Sequence, residues 1–156
     1  MAEVRAATGA DAAAIADVEA VAAHRPWSVA AVRATLGAPV TLAWVVEDAG
    51  HVVAHLLATA VLDEGEILTV AVRPEQRRTG RARALLARLH DAWRTRGVAR
   101  GHLEVRADNA AARALYEAEG WREVGLRRAY YGGTDDAVLY AWHDQPPSAP
   151  GPGPRA

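Results

Sequence analysis

The sequence predicts a single α/β domain in which a mixed β-sheet carries helices on both faces. Runs with strand character alternate with runs of helical periodicity in the order β-α-α-β-β-β-α-β-α-β-β, as expected for a layered domain of this class. The run at 67–72 is continuously apolar, which suits a strand buried on both faces. The chain has 156 residues, the usual size of one domain, and can bury about two-thirds of its unfolded surface.

The first predicted elements are a strand over 3–7 and a helix over 11–24. Apolar side chains recur at helical spacing through the second of these runs. Pro26 ends the helix, because proline lacks the N–H that a helix needs. Ser28 is a suitable N-cap for a second helix over 29–36.

A β-hairpin is predicted next. The β-rich runs 40–47 and 51–62 are joined by Asp48-Ala49-Gly50, a turn sequence typical of hairpins. The apolar run 67–72 then forms a further strand that ends before Pro74.

The second half of the chain begins with a helix that runs from Gly80 to Gly97. Its apolar stripe repeats at helical spacing, and glycine is the usual residue just past a helix C-terminus. Residues 102–106 alternate between apolar and polar side chains, as in a half-buried strand. Asp108 is a candidate N-cap for the last helix, which is expected to end at Gly120.

The end of the chain predicts the domain limits. Closing strands are expected over 121–128 and 138–142, so the folded domain spans 1–144. Residues 145–156 are rich in proline and glycine, and such a segment buries too little apolar surface to offset its ordering entropy. We expect this tail to be disordered.

Composition argues against several kinds of function. The chain has no cysteine, and its six histidines are scattered, so neither a disulfide nor a metal site is expected. A net charge of −1 argues against a nucleic-acid partner. The first residues carry acids, and no apolar run reaches about 18 residues, so we expect no signal peptide, no membrane partner and a cytoplasmic location.

A basic strand-to-helix turn at 73–83 is the first candidate site. The amides at a helix N-terminus lack partners within the helix, and the helix dipole favours an anion there by about 0.3–1 kcal/mol. Small residues at Gly80 and Ala82 let a ligand approach the backbone. Four arginines add positive charge for phosphate oxygens: Arg77, Arg78, Arg81 and Arg83. The segment contains neither GxxxxGK nor GxGxxG, so it predicts a different kind of pyrophosphate cradle, with a solvated basic turn as the alternative.

A second candidate site lies in the strand 102–106 and the helix after it. Glu104 lies mid-strand, where a carboxylate is costly unless it is paired or functional, and a salt bridge to an arginine is the alternative. Asn109 begins the helix, where its alternative role is local capping. Tyr116 lies two turns further along the same helix face, where core packing is the alternative.

These motifs resemble those of a known enzyme superfamily. The run Arg77-Arg78-Thr79-Gly80-Arg81-Ala82 matches the Q/R-x-x-G-x-G/A signature of the GNAT acetyltransferases. Together with LEVRADNAAARALYEAEGW, RRAYY at 127–131, PWS at 26–28 and VLDE at 61–64, it is similar to the RimI-type ribosomal-protein alanine N-acetyltransferases. The resemblance covers about residues 3–143 and implies a GNAT fold, with a mixed, mostly antiparallel sheet.

The resemblance also implies roles for individual residues, with acetyl-coenzyme A as co-substrate and no metal. Backbone groups of the strand before the turn would pair with the pantetheine arm and help to polarise the thioester carbonyl: Val70, Ala71 and Val72. Amides of the turn and the first helical turn would hold the pyrophosphate: Arg78, Thr79, Gly80, Arg81, Ala82 and Arg83. Asn109 would also bind the cofactor, Glu104 would be the general base, and Tyr116 the general acid.

The same resemblance suggests a protein N-terminus as acceptor, namely the alanine of a small-subunit ribosomal protein. Glu64, in an acidic stretch before the cofactor strand, is a candidate to attract a basic peptide, with a solvated acidic turn as the alternative. Tyr130 and Tyr131 are candidates to line the acceptor groove, with core packing as the alternative. Gly132-Gly133 stands where the family more often has proline, so the acceptor-side loop is expected to differ.

Two other functions remain open from the sequence. One is a GNAT enzyme that acetylates another protein N-terminus or a small-molecule amine. The other is an acyl-coenzyme A-binding module without turnover, against which the presence of both Glu104 and Tyr116 speaks. Whichever function applies, including the ribosomal-protein acetyltransferase, we expect a monomer or a weak homodimer.

Overall fold

A computed structural model of the chain describes residues 2–131 and 135–144, with the side chains of 129–131 outside that description. The described strands are β1 Ala2–Ala6, β2 Thr41–Asp48, β3 His51–Val61, β4 Glu64–Val72, β5 Arg100–Arg106, β6 Arg122–Tyr131 and β7 Asp135–His143. The described helices are α1 Ala12–Ala22, α2 Val29–Leu36, α3 Arg81–Arg96 and α4 Ala110–Ala118, with short 3₁₀ turns at Gly9–Asp11 and Pro74–Gln76. The predicted order of helices and strands is confirmed.

The strands form one mixed sheet in the order β1-β2-β3-β4-β5-β7-β6. All neighbouring strands are antiparallel except β4 and β5, which are parallel. A parallel pair needs a long crossover between its strands, and α3 provides it. The expected mixed, mostly antiparallel sheet is therefore confirmed.

Helices cover both faces of the sheet. Side chains alternate along each strand, so a strand with successive apolar residues has one apolar side chain on each face to be covered. On β3, Leu56 faces the larger apolar cluster with α3, whereas Leu57 faces the smaller cluster with α1 and α2. Both leucines are fully buried. The prediction of helices on both faces is thus correct.

Local sequence signals set several of the turns. Ala49 and Gly50 have φ values of 52° and 81°, and two positive φ values in sequence are the mark of a type I′ hairpin turn. The Ser28 side chain accepts a hydrogen bond from the amide of Ala31 at 3.1 Å, so the predicted N-cap of α2 is confirmed. Gly97 ends α3 in the left-handed region, at φ 79°.

Two predictions were wrong. The N-cap of α4 is Asn109, whose side-chain oxygen accepts from the amide of Ala112 at 3.1 Å, because both carboxylate oxygens of Asp108 are engaged by Arg106. The apolar run 67–72 belongs to a longer strand that is not buried on both faces, since its central residues are only half-buried. The other elements lie where predicted, with ends displaced by up to three residues.

The expected disordered tail at 145–156, and with it the domain limit at 144, concerns residues outside the described part. No helix of the described residues is long and apolar enough to cross a bilayer.

Candidate active site

The central strands β4 and β5 pair at one end only. Their register joins Glu64 to Arg100, Gly65 to Gly101 and Glu66 to His102, yet β4 continues to Val72 and β5 to Arg106. A cavity of about 370 Å³, called the cleft below, lies where they no longer pair. It is lined by 67–70 of β4, 103–106 of β5, residues 22–25 with Trp27, and parts of α1 and α4.

A β-bulge reshapes β4 beside the cleft. Leu57 of β3 pairs with Thr69 and Ala58 pairs with Ile67, so Leu68 is an extra residue on β4. A bulge bends its strand and disrupts pairing locally, and bulges are common next to active sites. This bend belongs to the part of β4 that has left β5.

Glu104 lies in the middle of β5 and lines the cleft. Its neighbours Leu103 and Val105 are buried on the α3 face, so Glu104 points to the opposite face, with 27% of its side chain exposed. Arg127 Nη1 lies 3.2 Å from Glu104 Oε1. The ion pair that was the alternative interpretation therefore exists, and the same carboxylate also reaches the cleft.

Tyr116 lines the same cleft from α4, on the opposite side of the sheet. It is 7% exposed, and its ring packs against Trp121 and Tyr140 with centroid distances of 6.1 Å and 6.2 Å. Core packing and a place in the cleft are thus combined in one side chain. The structure brings Glu104 and Tyr116 to one cavity, as the sequence predicts.

Asn109 also lines the cleft, and its side-chain oxygen is the cap of α4. The three strand residues expected at the pantetheine arm pair with β3 along one edge: Val70 with Leu56, Ala71 with His55, and Val72 with Ala54. Their other edge belongs to the part of β4 that β5 leaves, and Val70 lines the cleft. The cofactor-binding role of these residues stays a prediction.

The turn after β4 leads into the N-terminus of α3. Gly80 is its N-cap in the left-handed region, at φ 80°, and a Cβ there would meet no atom within 4 Å. The first turn of the 16-residue helix contains no acid. Residues Arg78, Thr79 and Gly80 are exposed, so the partnerless amides of this helix end are open to an anion.

The arginines of this turn divide into two groups. Arg81 Nη2 contacts Asp48 at 3.3 Å, and Arg83 Nε contacts Glu119 at 3.1 Å, so both are already ion-paired. Arg77 donates to the carbonyl of Val72. Arg77, Arg78 and Arg83 are exposed, so they and the helix amides present positive charge to solvent here.

Glu64 lies at the paired end of β4, outside the set of residues that line the cleft. Its Oε1 lies 3.3 Å from His102 Nε2 and 3.6 Å from Arg100 Nη2. His102 shares its strand face with Glu104 two residues away, so Glu64 borders the same sheet face. The side chains of Tyr130 and Tyr131 lie outside the described residues, and the acceptor role of all three stays a prediction.

Sequence reasoning missed a buried network beside the cleft. The fully buried Glu19 carboxylate contacts His55 Nε2 at 2.6 Å and accepts from the Thr69 hydroxyl at 2.8 Å and the Trp27 amide at 3.2 Å. Burial opposes the charged form, but the contacts with His55, Thr69 and Trp27 outweigh it, so the pKa of Glu19 is lowered. A signal was present, since Glu19 is an acid within the apolar stripe of α1, one turn after Ile15.

Comparison with known proteins is consistent with this fold and cleft. The model of the acetyltransferase (GNAT) family matches residues 12–121. The chain therefore belongs to the GNAT acetyltransferase family.

Relatives with specific names are also found. The ribosomal protein bS18-alanine N-acetyltransferase of Escherichia coli (strain K12) is 47% identical over 95 residues, 59% of this chain. That match spans 64% of the relative, less than two-thirds of its length. The protein of the same name from Haemophilus ducreyi (strain 35000HP) is 30% identical over 130 residues, 80% of this chain and 88% of that one.

A solved structure has the same fold. The crystal structure of the ribosomal-protein-S18-alanine N-acetyltransferase from Escherichia coli superposes with a TM-score of 0.87 at 35% identity. The superposition covers 96% of this chain and 98% of that one. The fold predicted from the resemblance is thereby confirmed over nearly the whole chain.

Proposed function

We propose that this protein is an acetyl-coenzyme A-dependent N-acetyltransferase whose acceptor is the N-terminal alanine amine of a small-subunit ribosomal protein. The observation that carries the proposal is the parting of β4 and β5 around a cleft lined by Glu104 and Tyr116. Membership in the GNAT family supports the reaction type, and the relatives named for ribosomal protein bS18 support the acceptor.

Acetyl-coenzyme A supplies the acetyl thioester, and residues of β4 and of the turn that follows it fit that molecule. The open space at Gly80 and the acid-free first turn of α3 suit its pyrophosphate, which the amides of 78–83 would bind. The edge of Val70, Ala71 and Val72 that does not face β3 suits the amide groups of its pantetheine arm.

Glu104 is assigned the task of removing a proton from the acceptor amine. An α-amino group has a pKa of about 7.7–8.0, so much of it is protonated at neutral pH and has no lone pair to attack with. The Glu104 carboxylate, directly or through a water, takes this proton. Its position on the open face of β5 leaves it accessible from the acceptor side.

The backbone of β4 and the Tyr116 hydroxyl act on the negative charges that develop on the thioester oxygen and on the leaving sulfur. Negative charge that develops on the thioester oxygen is stabilised by an amide of the cleft edge of β4. Tyr116, from the opposite side, would give its hydroxyl proton to the leaving sulfur and would regain one from the proton that the acylated nitrogen loses, so coenzyme A leaves as the thiol. Both substrates are held side by side, so no covalent enzyme intermediate is needed.

Peptide acetylation followed by mass spectrometry tests the proposal. The peptide carries the first residues of a small-subunit ribosomal protein that begins with alanine, and the matched control is the same peptide with its α-amine blocked. We expect one acetyl group on the first peptide and none on the control.

Other outcomes separate the alternatives. Acetylation of other amines, but not of the alanine peptide, would replace the acceptor and keep the enzyme class. Binding of acetyl-coenzyme A in calorimetry without transfer to any amine would indicate a binding module. Absence of any binding heat would overturn the proposal as a whole.

A further inference from the structure

The Glu19 carboxylate connects three separate segments of the chain. Its Oε2 is bound by Thr69 of β4 and by His55 of β3, and its Oε1 accepts from the backbone amide of Trp27. An ionised carboxylate only accepts hydrogen bonds, so His55 Nε2 carries the hydrogen in this contact. His55 Nδ1 is buried and finds no partner among the described residues.

One of these segments forms a wall of the cleft. Residues 23–28 connect α1 to α2 without helix or strand, and most of them line the cleft. Trp27 anchors this wall in two ways. Its amide is held by Glu19, and its indole packs against the smaller apolar cluster between α1, α2 and the sheet.

A fully buried carboxylate is a costly way to fix a helix, since an apolar residue at position 19 would pack α1 on the sheet without any desolvation penalty. What an apolar residue cannot do is accept the Trp27 amide and the Thr69 hydroxyl together. The network thus joins the 23–28 wall of the cleft to β4, the strand whose edge is assigned to the cofactor.

We propose that Glu19 is a positioning residue for the acceptor: by holding the Trp27 amide, it fixes the 23–28 wall against which the acceptor chain lies. The inference rests on the proposed function, because it assigns that wall to the acceptor. Although Thr69 of β4 binds Glu19, the ladder with β3 also holds this strand, so the cofactor edge at 70–72 depends less on Glu19 than the wall does.

The Glu19→Leu variant tests this separation, because leucine fills similar space but cannot accept the Trp27 amide. A misplaced wall loses contacts with the acceptor chain and so weakens acceptor binding. We expect the KM for the acceptor peptide to rise about tenfold, while the affinity for acetyl-coenzyme A in calorimetry stays within about twofold. Equal losses for both substrates, or none for either, would overturn the proposal.

The matched control is Asp11→Asn, which disrupts a comparable buried carboxylate at the other end of α1. Asp11 receives two hydrogen bonds from Arg5 at 2.9 Å and lies outside the residues that line the cleft. Its loss should lower the melting temperature and leave the acceptor KM unchanged. If Asp11→Asn raised the acceptor KM as much as Glu19→Leu, the effect would be general stability and the positioning role would fall.

Amide hydrogen exchange followed by NMR is a further test that requires neither turnover nor a variant that folds. In the unmodified protein the Trp27 amide should exchange at least tenfold more slowly than that of the exposed His24. Equal exchange rates would mean that Glu19 does not hold the wall. Because this measurement requires no acetylation, it still tests Glu19 if the proposed acceptor proves wrong.

Discussion

The two ends of the β4–β5 pair differ in packing and in polarity. At the paired end, Gly65 and Gly101 lie opposite each other, and the Trp93 indole packs directly on both. A Cβ at either glycine would come within 3.0 Å of that indole. At the other end the strands part around the cleft, which Tyr116 and a polar set that includes Glu104 and Thr69 line.

The difference teaches how one pair of strands can be both rigid and open. The paired end is closed by an aromatic group in which His90 stacks on Trp142 at 4.9 Å and accepts from the Trp121 indole at 3.1 Å. A tightly packed group of this kind tolerates little change of shape. The open end can then carry polar side chains and an unpaired strand edge, because the tightly packed paired end fixes the distance between β4 and β5.

The largest expected effect is at the open end, on catalysis. Replacing Glu104 with glutamine removes the proposed base and keeps the shape, so turnover should fall about 10²–10⁴-fold. Affinity for acetyl-coenzyme A should stay nearly unchanged, as should stability, because the lost pair with Arg127 is partly exposed. Steady-state kinetics with calorimetry checks this, with Asp91→Asn on the exposed face of α3 as control. Surviving turnover would show that Glu104 is not the base.

The next effect is at the paired end and concerns acid. Burial, with a contribution from the nearby Arg94, lowers the pKa of His90 to about 4, whereas an unfolded histidine titrates near about 6.5. A depressed histidine pKa means that the unfolded state binds the proton first, so stability is lost as pH falls from about 6.5 toward about 4. Between pH 7 and 5 the loss from His90 should be about 2 kcal/mol.

Urea unfolding at the two pH values measures this loss. The His90→Gln variant can still accept from the Trp121 indole but does not titrate, so its stability should change less between pH 7 and 5. If the variant lost as much stability as the unmodified protein, another group would be responsible. Glu19 and Asp11, whose pKa values are lowered, weaken the fold only at lower pH, as they take up protons.

A third prediction concerns the contact that closes the paired end. The Gly101→Ala change puts a methyl group against Trp93 and Trp121, and overpacking of this kind costs about 1–3 kcal/mol. Gly9→Ala is the control, since a Cβ at Gly9 meets nothing within 4 Å. Thermal unfolding should show a clear loss for the first variant and almost none for the second. Equal melting temperatures would mean that the indole does not close this end.

The sequence was informative where local periodicity and turn chemistry decide the outcome. It predicted the order of elements, the hairpin at Ala49-Gly50 and the cap at Ser28. The family resemblance, and not local pattern, implied that Glu104 and Tyr116 belong to one site. Contacts between distant segments were harder. Glu19 and His55 are 36 residues apart, and nothing local in either segment specifies their contact.

The parting of β4 and β5 illustrates the same limit. The apolar run 67–72 looks like a doubly buried strand because its composition does not record that one edge lacks a partner. The edge is unpaired because β4 and β5, which α3 connects, pair only at residues 64–66 and 100–102. The bulge at Leu68 lies in the part of β4 beyond this pairing. The register of β4 and β5 is accompanied by long-range packing, such as Trp93 on the paired glycines, which the sequence of either strand alone does not show.

The smallest expected effect concerns Glu64, which relates the paired end of β4 and β5 to the open end. Glu64 lies at the paired end but borders the sheet face of Glu104, so a basic acceptor peptide that starts at Glu104 would pass close to it. Because Glu64 is largely exposed, Glu64→Gln should raise the KM of a basic peptide only about two- to fivefold, and less at high salt. Glu3→Gln, on the distant edge strand β1, removes the same charge and should change nothing. An equal change for a neutral peptide, or for Glu3→Gln, would remove Glu64 from the acceptor path and confine acceptor recognition to the open end.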